Sequence, residues 1–422
     1  MGFRRPKKAI GIDIGSHSAK AVLMSRFGGR LRVEGAVQVM VDRNLLNSDP
    51  NEAQAQAVRE TLREMPVSQC LVVSAMAGQT VVVRYPRLTV KGRESLEDAI
   101  RGEASHSIPY DLNDVFLDWH VLEETAEGEQ RQVKVLLVAA KHEVIDARMQ
   151  VLEASELQPG MLGVDSLALS DAAEACDFLR VGETVALINV GLTSSCVHFV
   201  KDGVSSFIRE VNWGLREAVQ AVAKDRRFTY EDALREMEEF KHTQEDVPEA
   251  AVAEMADMEE LNDLPMAKEA TRQLRPVVMG DSSLLEPLED ELEDISGAGR
   301  ALSDADNAYM PAGGGVAVRA LTEILSAPLA RMSAEFRRSF DFYEHQLYER
   351  PVDRIIVCGG GAMMGILRET LQYELGVDSV EVAHPDQSAL LLGAHSAVED
   401  LLERPPQFMV AIGLAARGMA DL

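Results

Sequence analysis

Gly11-Ile12-Asp13-Ile14-Gly15-Ser16-His17-Ser18-Ala19-Lys20 carries more information about this chain than any other ten residues. An apolar run from Ala9 to Ile14 reads as a buried strand, Gly15-Ser16 forces a tight turn, and Ala21-Val22-Leu23-Met24 resumes the apolar pattern. The expectation is a β-hairpin with an acid at its mouth and a lysine just past its turn. Glycine tolerates the dihedrals that let several backbone N–H groups converge on one anion, and serine adds a hydroxyl. Asp13 has the chemistry to hold a hydrated Mg²⁺, which prefers one or two carboxylates completed by water and phosphate oxygens. Lys20 can neutralise phosphate charge. The turn therefore points to nucleotide phosphates, although a Gly-Ser connection between two strands is equally an ordinary turn.

With 422 residues the chain can build two or more domains with good cores. A net charge of −27 argues against a general nucleic-acid or anionic-membrane binder. The leader Arg4-Arg5-Pro6-Lys7-Lys8 reads as a solvated N-terminus, with neither a signal peptide nor a transmembrane run expected. Cys70, Cys176, Cys196 and Cys358 are scattered and read as buried free thiols of a reducing cytoplasm.

Outward from the first hairpin, residues 31–40 predict a third strand, 51–65 an amphipathic helix, and 70–74 and 80–84 short strands. Residues 85–160 predict a compact insert: a helix at 95–107, a strand near 115–122, an acidic turn through 123–129, a strand at 133–140 and a helix at 144–157. A helix is expected at 164–178. Residues 184–190, the turn Gly191-Leu192-Thr193-Ser194-Ser195, and the strands at 196–201 and 205–210 then repeat the design of the opening hairpin. Such an internal repeat predicts two related lobes across a cleft. Residues 215–241 are helical with a break near 228–229. Residues 245–300 hold 16 acidic and 4 basic residues and no aromatic residue, so they read as a disordered acidic segment. Leu321, Ile324, Leu325, Leu329, Met332, Phe336, Phe340 and Tyr343 recur at helical spacing as core. A strand at 354–358, a helix to about 375, a strand at 380–382 and a helix at 388–402 complete the reading.

Three further segments join the first turn. Around Gly191 and Thr193, backbone N–H groups and hydroxyls could grip an outer phosphate from the opposite lobe. Cys358-Gly359-Gly360-Gly361-Ala362-Met363 closes a buried strand with three glycines, allowing backbone to approach a flat ligand closely. Glu238 and Lys241 share one helix face at i, i+3.

In this order, the four segments resemble the actin-like ATPase superfamily, and within it the PilM family of type IV pilus assembly. The resemblance covers nearly the whole chain. It includes Glu103…Ile108-Pro109, Gly163-Val164-Asp165, Glu335…Ser339-Phe340-Asp341-Phe342-Tyr343 and the closing Val410-Ala411-Ile412-Gly413-Leu414-Ala415-Ala416-Arg417-Gly418. It implies an α/β fold of two duplicated ribonuclease-H-like lobes with an FtsA-type 1C subdomain. The first lobe would take residues 1–84, completed by about 160–182 and 400–422, with 85–159 inserted. The second would take 183–213 and 350–399, with 214–349 as its outer subdomain and 245–312 as the acidic insert.

The resemblance also implies ATP and Mg²⁺ as ligands. Asp13 would serve the metal and the chemistry; Gly15, Ser16, His17 and Lys20 the first phosphate loop; Gly191, Thr193 and Gly214 the second. Glu238 and Lys241 would contact ribose and adenine, and Gly359, Gly360, Gly361 and Met363 the adenosine. The implied partner is the N-terminal cytoplasmic tail of PilN, held between the first lobe and the insert. PilO, PilP and the pilus motor ATPases would be reached through it, with a homo-oligomer or ring as a further possibility. The implied location is cytoplasmic, peripheral to the inner membrane through the partner.

The chain departs from the family pattern at several points. Asn189 replaces the aspartate that commonly opens the second phosphate loop, and an amide is a poor general base. Trp213-Gly214-Leu215 replaces a Gly-Gly pair, Ala218 replaces a usual threonine, and His17 takes a small-residue position. The expectation is a scaffold that binds ATP and hydrolyses it slowly or not at all. The alternatives are a small-molecule kinase of the same superfamily, an FtsA-like filament protein and a type II secretion platform component.

Overall fold

A computed structural model describes residues 7–91, 95–127, 130–240 and 319–420. Lys241 and the segment expected to be disordered, 245–312, lie outside the described residues.

β1 (Lys8–Ile14), β2 (Ser18–Phe27) and β3 (Arg30–Met40) form an antiparallel meander. β4 (Leu71–Met76) adds to β1 in parallel, and β9 (Met161–Val164) adds to β4. Because side chains alternate along a strand, one face of β1 presents Ile10, Ile12 and Ile14. These pack with Ala53, Ala57 and Val58 of α2 (Pro50–Thr61) and Val151 and Leu152 of α4 (His142–Ala154). Asp42 caps α1 (Arg43–Ser48), and Asp49 caps α2, which has proline at its first position where the missing N–H is harmless.

The other face of β1 presents Ala9, Gly11 and Asp13. Across it lie α5 (Asp165–Ala175) and α11 (Met409–Met419). A Cβ on Gly11 would overlap the carbonyl of Ala411, and a Cβ on Gly413 would overlap that of Ala168. Glycine at these two positions lets α11 lie directly on the sheet and cross α5 backbone to backbone.

The second sheet repeats the first. β10 (Thr184–Val190), β11 (Ser195–Lys201) and β12 (Val204–Val211) form the meander, followed in parallel by β13 (Arg354–Cys358) and β14 (Ser379–Val382). The strand orders β3-β2-β1-β4-β9 and β12-β11-β10-β13-β14 are the same topology used twice. The outer face of the second sheet is covered by α6 (Leu215–Arg226), α7 (Tyr230–Glu239), α8 (Leu321–Asp341) and α9 (Gly365–Leu375). Its inner face, through Leu187, Cys196 and Ile356, shares one core with α5 and α11.

A third sheet is inserted in the first lobe. β8 (Gln130–Lys141) pairs with β7 (Val115–Glu127) on one edge and with β5 (Val81–Arg84) and β6 (Arg87–Lys91) in succession on the other. α3 (Leu96–Ser107) packs Ile100 and Ala104 on Leu88, Val133 and Val135.

Several details differ from expectation. The acidic residues from 123 onward continue β7 as far as Glu127 rather than turning. Opposite charges across the strands favour this extension: Glu123 faces Lys134 at 3.7 Å, and Glu124, which faces Val133, reaches Arg131 diagonally at 3.3 Å. The helix expected at 388–402 is confined to α10 (Glu399–Glu403). Upstream of it β15 (Leu391–Leu392) pairs with β3, and the N–H of Gly393 donates to the Val33 carbonyl at 2.8 Å. Residues 391–392 thus join the first sheet rather than the second. β5 belongs to the inserted sheet although it falls before residue 85, and α4 packs on the first lobe although it falls before 159. The expected helix at 164–178 starts at Asp165, after the short parallel strand β9.

Candidate functional site

The two hairpin turns are built alike. The N–H of Gly15 donates to the Ser18 carbonyl at 3.1 Å, and the N–H of Gly191 donates to the Ser194 carbonyl at 3.0 Å. In the first hairpin Asp13 pairs with Lys20 in register, and Lys20 Nζ donates to Asp13 Oδ2 at 3.1 Å with both side chains largely buried. In the second, Asn189 stands in the place of Asp13, opposite Cys196 on β11 and Cys358 on β13. The start of α6 docks on this turn: the N–H groups of Leu215 and Arg216 donate to the carbonyls of Gly191 and Leu192 at 3.0 and 2.9 Å. A Cβ on Gly214 would lie 2.6 Å from the Thr193 carbonyl carbon, so glycine permits that docking. The turn tips meet across the cleft, with Ser16 Oγ 3.4 Å from Thr193 Oγ1.

The glycine run closes the far end. Gly359 has φ +81, a left-handed region that favours glycine, and a Cβ there would overlap Asn189 Oδ1. Its N–H donates to the Pro406 carbonyl at 2.8 Å. A Cβ on Gly361 would lie 2.7 Å from Val190 Cβ, so this glycine packs behind the site. Residues Gly360–Met363 form a 3₁₀ turn, and α9 begins only at Gly365.

Between these walls lies a cavity of about 310 Å³. Asp13, Gly15, Ser16, His17, Lys20, Asn189, Gly191, Thr193, Glu238, Gly359 and Gly360 all line it, so residues separated by hundreds of positions in the chain share one cleft. Gly214 and Gly361 support it from behind instead. Met363 is 41% exposed and does not line the cavity; the 3₁₀ geometry brings Met364 there in its place. Lys241 lies outside the described residues.

Sequence reasoning missed Arg148, Asp165, Gln79, Arg404 and Gln407, which also line the cavity. Arg148 had a legible signal: it occupies helical spacing with Val144, Val151 and Leu152, an arginine placed in the apolar stripe of α4. Asp165 lies in the segment Gly163-Val164-Asp165, which by itself assigns it no role.

Burial pushes the Asp165 carboxyl up to about 6, and the nearby charge of Asp13 adds to the shift. The N–H groups of Gly78 and Ser166, donating to it at 2.7 and 2.6 Å, oppose the rise. His17 is lowered to about 4, first by burial and then by Arg43, Lys20 and Arg404, so its imidazole is neutral near pH 7. Behind Asp165, Glu210 is raised to about 7, by burial first and then by the Asp165 charge.

The donor set fits a polyphosphate with a hydrated cation. Lys20, Arg148 and Arg404 bring positive charge to the cavity, and Arg148 Nη1 is buried with no hydrogen-bond partner among the described residues. No cluster of three or more His, Cys, Asp or Glu side chains suited to a metal occurs among the described residues. The Asp13 carboxylate in the cavity wall is the kind of single protein ligand that a hydrated Mg²⁺ takes. The volume falls at the lower end of the range for small-molecule pockets.

Two lobes of one topology, crossed by α5 and α11 around a glycine-walled cleft, make this an actin-like α/β fold with an inserted subdomain. Over residues 11–255 and 313–419 the sequence matches the family model described as type IV pilus assembly protein PilM. The chain belongs to that family. Among solved structures it is similar to the PilM-PilN type IV pilus biogenesis complex, with TM-score 0.68 and 21% identity over 99% of this chain and 100% of that chain. More distant likenesses include the ethanolamine utilization protein EutJ from Carboxydothermus hydrogenoformans (TM-score 0.46, 11% identity, 98% of this chain and 90% of that one). Another is the activator of the 2-hydroxyisocaproyl-CoA dehydratase from Clostridium difficile with bound ADPNP (TM-score 0.42, 10% identity, 98% and 94%). No helix among the described residues is long and apolar enough to cross a membrane.

Proposed function

We propose that this type IV pilus assembly component is a scaffold that holds ATP with Mg²⁺ in the interlobe cleft and captures the N-terminal cytoplasmic tail of PilN. The observation that carries the nucleotide reading is the pair of hairpin turns closed by the same hydrogen bond and meeting at Ser16 and Thr193. Backbone N–H groups of the two turns would bind phosphate oxygens, and Lys20 would neutralise their charge. Asp13 would hold the hydrated cation, Gly359 and Gly360 would face the adenosine, and Glu238 with Lys241 would serve ribose and adenine. When bound, Mg²⁺ supplies charge neutralisation to the phosphates. Asn189 supplies no carboxylate where a water would need orienting, so retention of ATP rather than turnover is the expected state.

A second cavity, about 390 Å³, lies between α2 and α4 of the first lobe. Met76, Val144, Ala147 and Val151 give it an apolar floor, and Asn51 and Glu143 a polar rim. It suits an extended tail presenting an apolar side chain beside a basic one. Capture there would place the protein at the cytoplasmic side of the inner membrane and connect it to PilO, PilP and the pilus motors. A pull-down of the full chain by the PilN tail peptide, with and without Mg-ATP, tests the reading. Specific retention by the native peptide and none by a scrambled one is expected; equal retention by both overturns it.

A further inference from the structure

Arg148 belongs to both cavities. From α4 it lines the interlobe cleft and also the seam between α2 and α4, where Gln54 and Ala77 are likewise shared. Its guanidinium remains charged at any ordinary pH. The two carboxylates that act on it electrostatically, Asp13 and Asp165, are engaged elsewhere: Asp13 accepts from Lys20, and Asp165 accepts from the N–H groups of Gly78 and Ser166. Its Nη1 is buried with no hydrogen-bond partner among the described residues. A buried donor left without an acceptor is costly, and the planar guanidinium fork matches phosphoryl oxygens in bidentate fashion.

We propose that Arg148 reads the outer phosphate of a nucleotide in the cleft and, as a wall common to both cavities, transmits that occupancy to the α2–α4 seam. This rests on the reading of the cleft as a nucleotide site. A phosphoryl group in the cleft satisfies Nη1 and fixes the guanidinium on the cleft side, which orders α4 and reshapes the seam cavity. A diphosphate, one phosphoryl shorter, fixes it less. Since coupling is reciprocal, a chain segment held in the seam would in turn alter affinity for the triphosphate.

The test uses the full chain, calorimetric affinities for Mg-ATP and Mg-ADP, and hydrogen–deuterium exchange over 142–154. Arg148→Gln removes the charge, and Arg148→Lys keeps charge without the fork. The expected result is a loss of about tenfold in Mg-ATP affinity for Arg148→Gln, with Mg-ADP changed less than about twofold and Arg148→Lys between. Mg-ATP should slow exchange in α4 of the wild type and leave it unchanged in Arg148→Gln. An unaltered ATP-to-ADP preference, or α4 protection persisting in Arg148→Gln, overturns the inference while leaving the cleft as a nucleotide site. Failure of the wild type to bind either nucleotide removes the cleft reading and the inference with it.

Discussion

Ser16 Oγ and Thr193 Oγ1 lie 3.4 Å apart although 177 residues separate them in the chain, so the two hairpin tips form opposite jaws of one cleft. The contact is exposed and long for a hydroxyl pair, which suits groups that serve a ligand more than the fold. Thr193→Ala should cost stability about 0.5 kcal/mol or less, yet weaken Mg-ATP binding roughly three- to tenfold. Thermal melts and calorimetry on the same preparation separate the two effects; equal nucleotide affinity would count against the jaw assignment.

Asn189 occupies, in the second hairpin, the register position that Asp13 holds in the first. Asn189→Asp restores a carboxylate there, and phosphate release from Mg-ATP should rise at least about tenfold over the native chain. Coupled-enzyme phosphate detection reads this directly. An unchanged rate would place the block to turnover elsewhere.

The crossing of α11 on α5 depends on Gly413, where a Cβ would overlap the Ala168 carbonyl. Gly413→Val should destabilise the chain by about 3 kcal/mol or more, because backbone and not a flexible side chain must yield. A lowered melting temperature with nucleotide protection also lost is expected, since the crossing joins the two lobes. Native-like melting would mean that the helices part at little cost.

Two buried carboxyls, Asp165 in the cleft wall and Glu210 behind it, set a pH dependence. Asp165 and Glu210 are raised from 3.8 and 4.5 to about 6 and about 7, so the folded chain keeps protons that the unfolded chain has released. Their contribution to stability is therefore largest at low pH and is lost as pH rises through that window. His17 and His198, both lowered to about 4 chiefly by burial, act oppositely, reducing stability as pH falls below 6.5. Glu210→Gln should melt higher than wild type near pH 8, with the difference vanishing toward about pH 5. A difference independent of pH would mean that Glu210 does not titrate in this range.

How much of this was legible in the sequence depended on distance along the chain. The hairpins could be read because each closes within four residues, Gly15 to Ser18 and Gly191 to Ser194. The duplicated lobes followed from seeing that local unit twice. β15 could not be read: two residues, Leu391 and Leu392, join the first sheet only because β3 presents a free edge. Met364 rather than Met363 faces the cleft because a 3₁₀ turn replaces the expected α-helical start. Arg148 and Asp165 reach the site through tertiary packing of α4 and α5; the place of Arg148 in the apolar stripe of α4 marks it as unusual, but not as a partner of the glycine-rich turns.

The central claim is that the cleft holds a nucleotide through Asp13 and consumes it slowly or not at all. It is tested most directly by calorimetric titration of the full chain and Asp13→Ala with Mg-ATP, followed by phosphate measurement in the same samples. The account predicts saturable binding to the wild type, weakened at least about tenfold in Asp13→Ala, with phosphate release from either far slower than nucleotide exchange. Absence of binding by the wild type, or equal affinity in the two proteins, would contradict it.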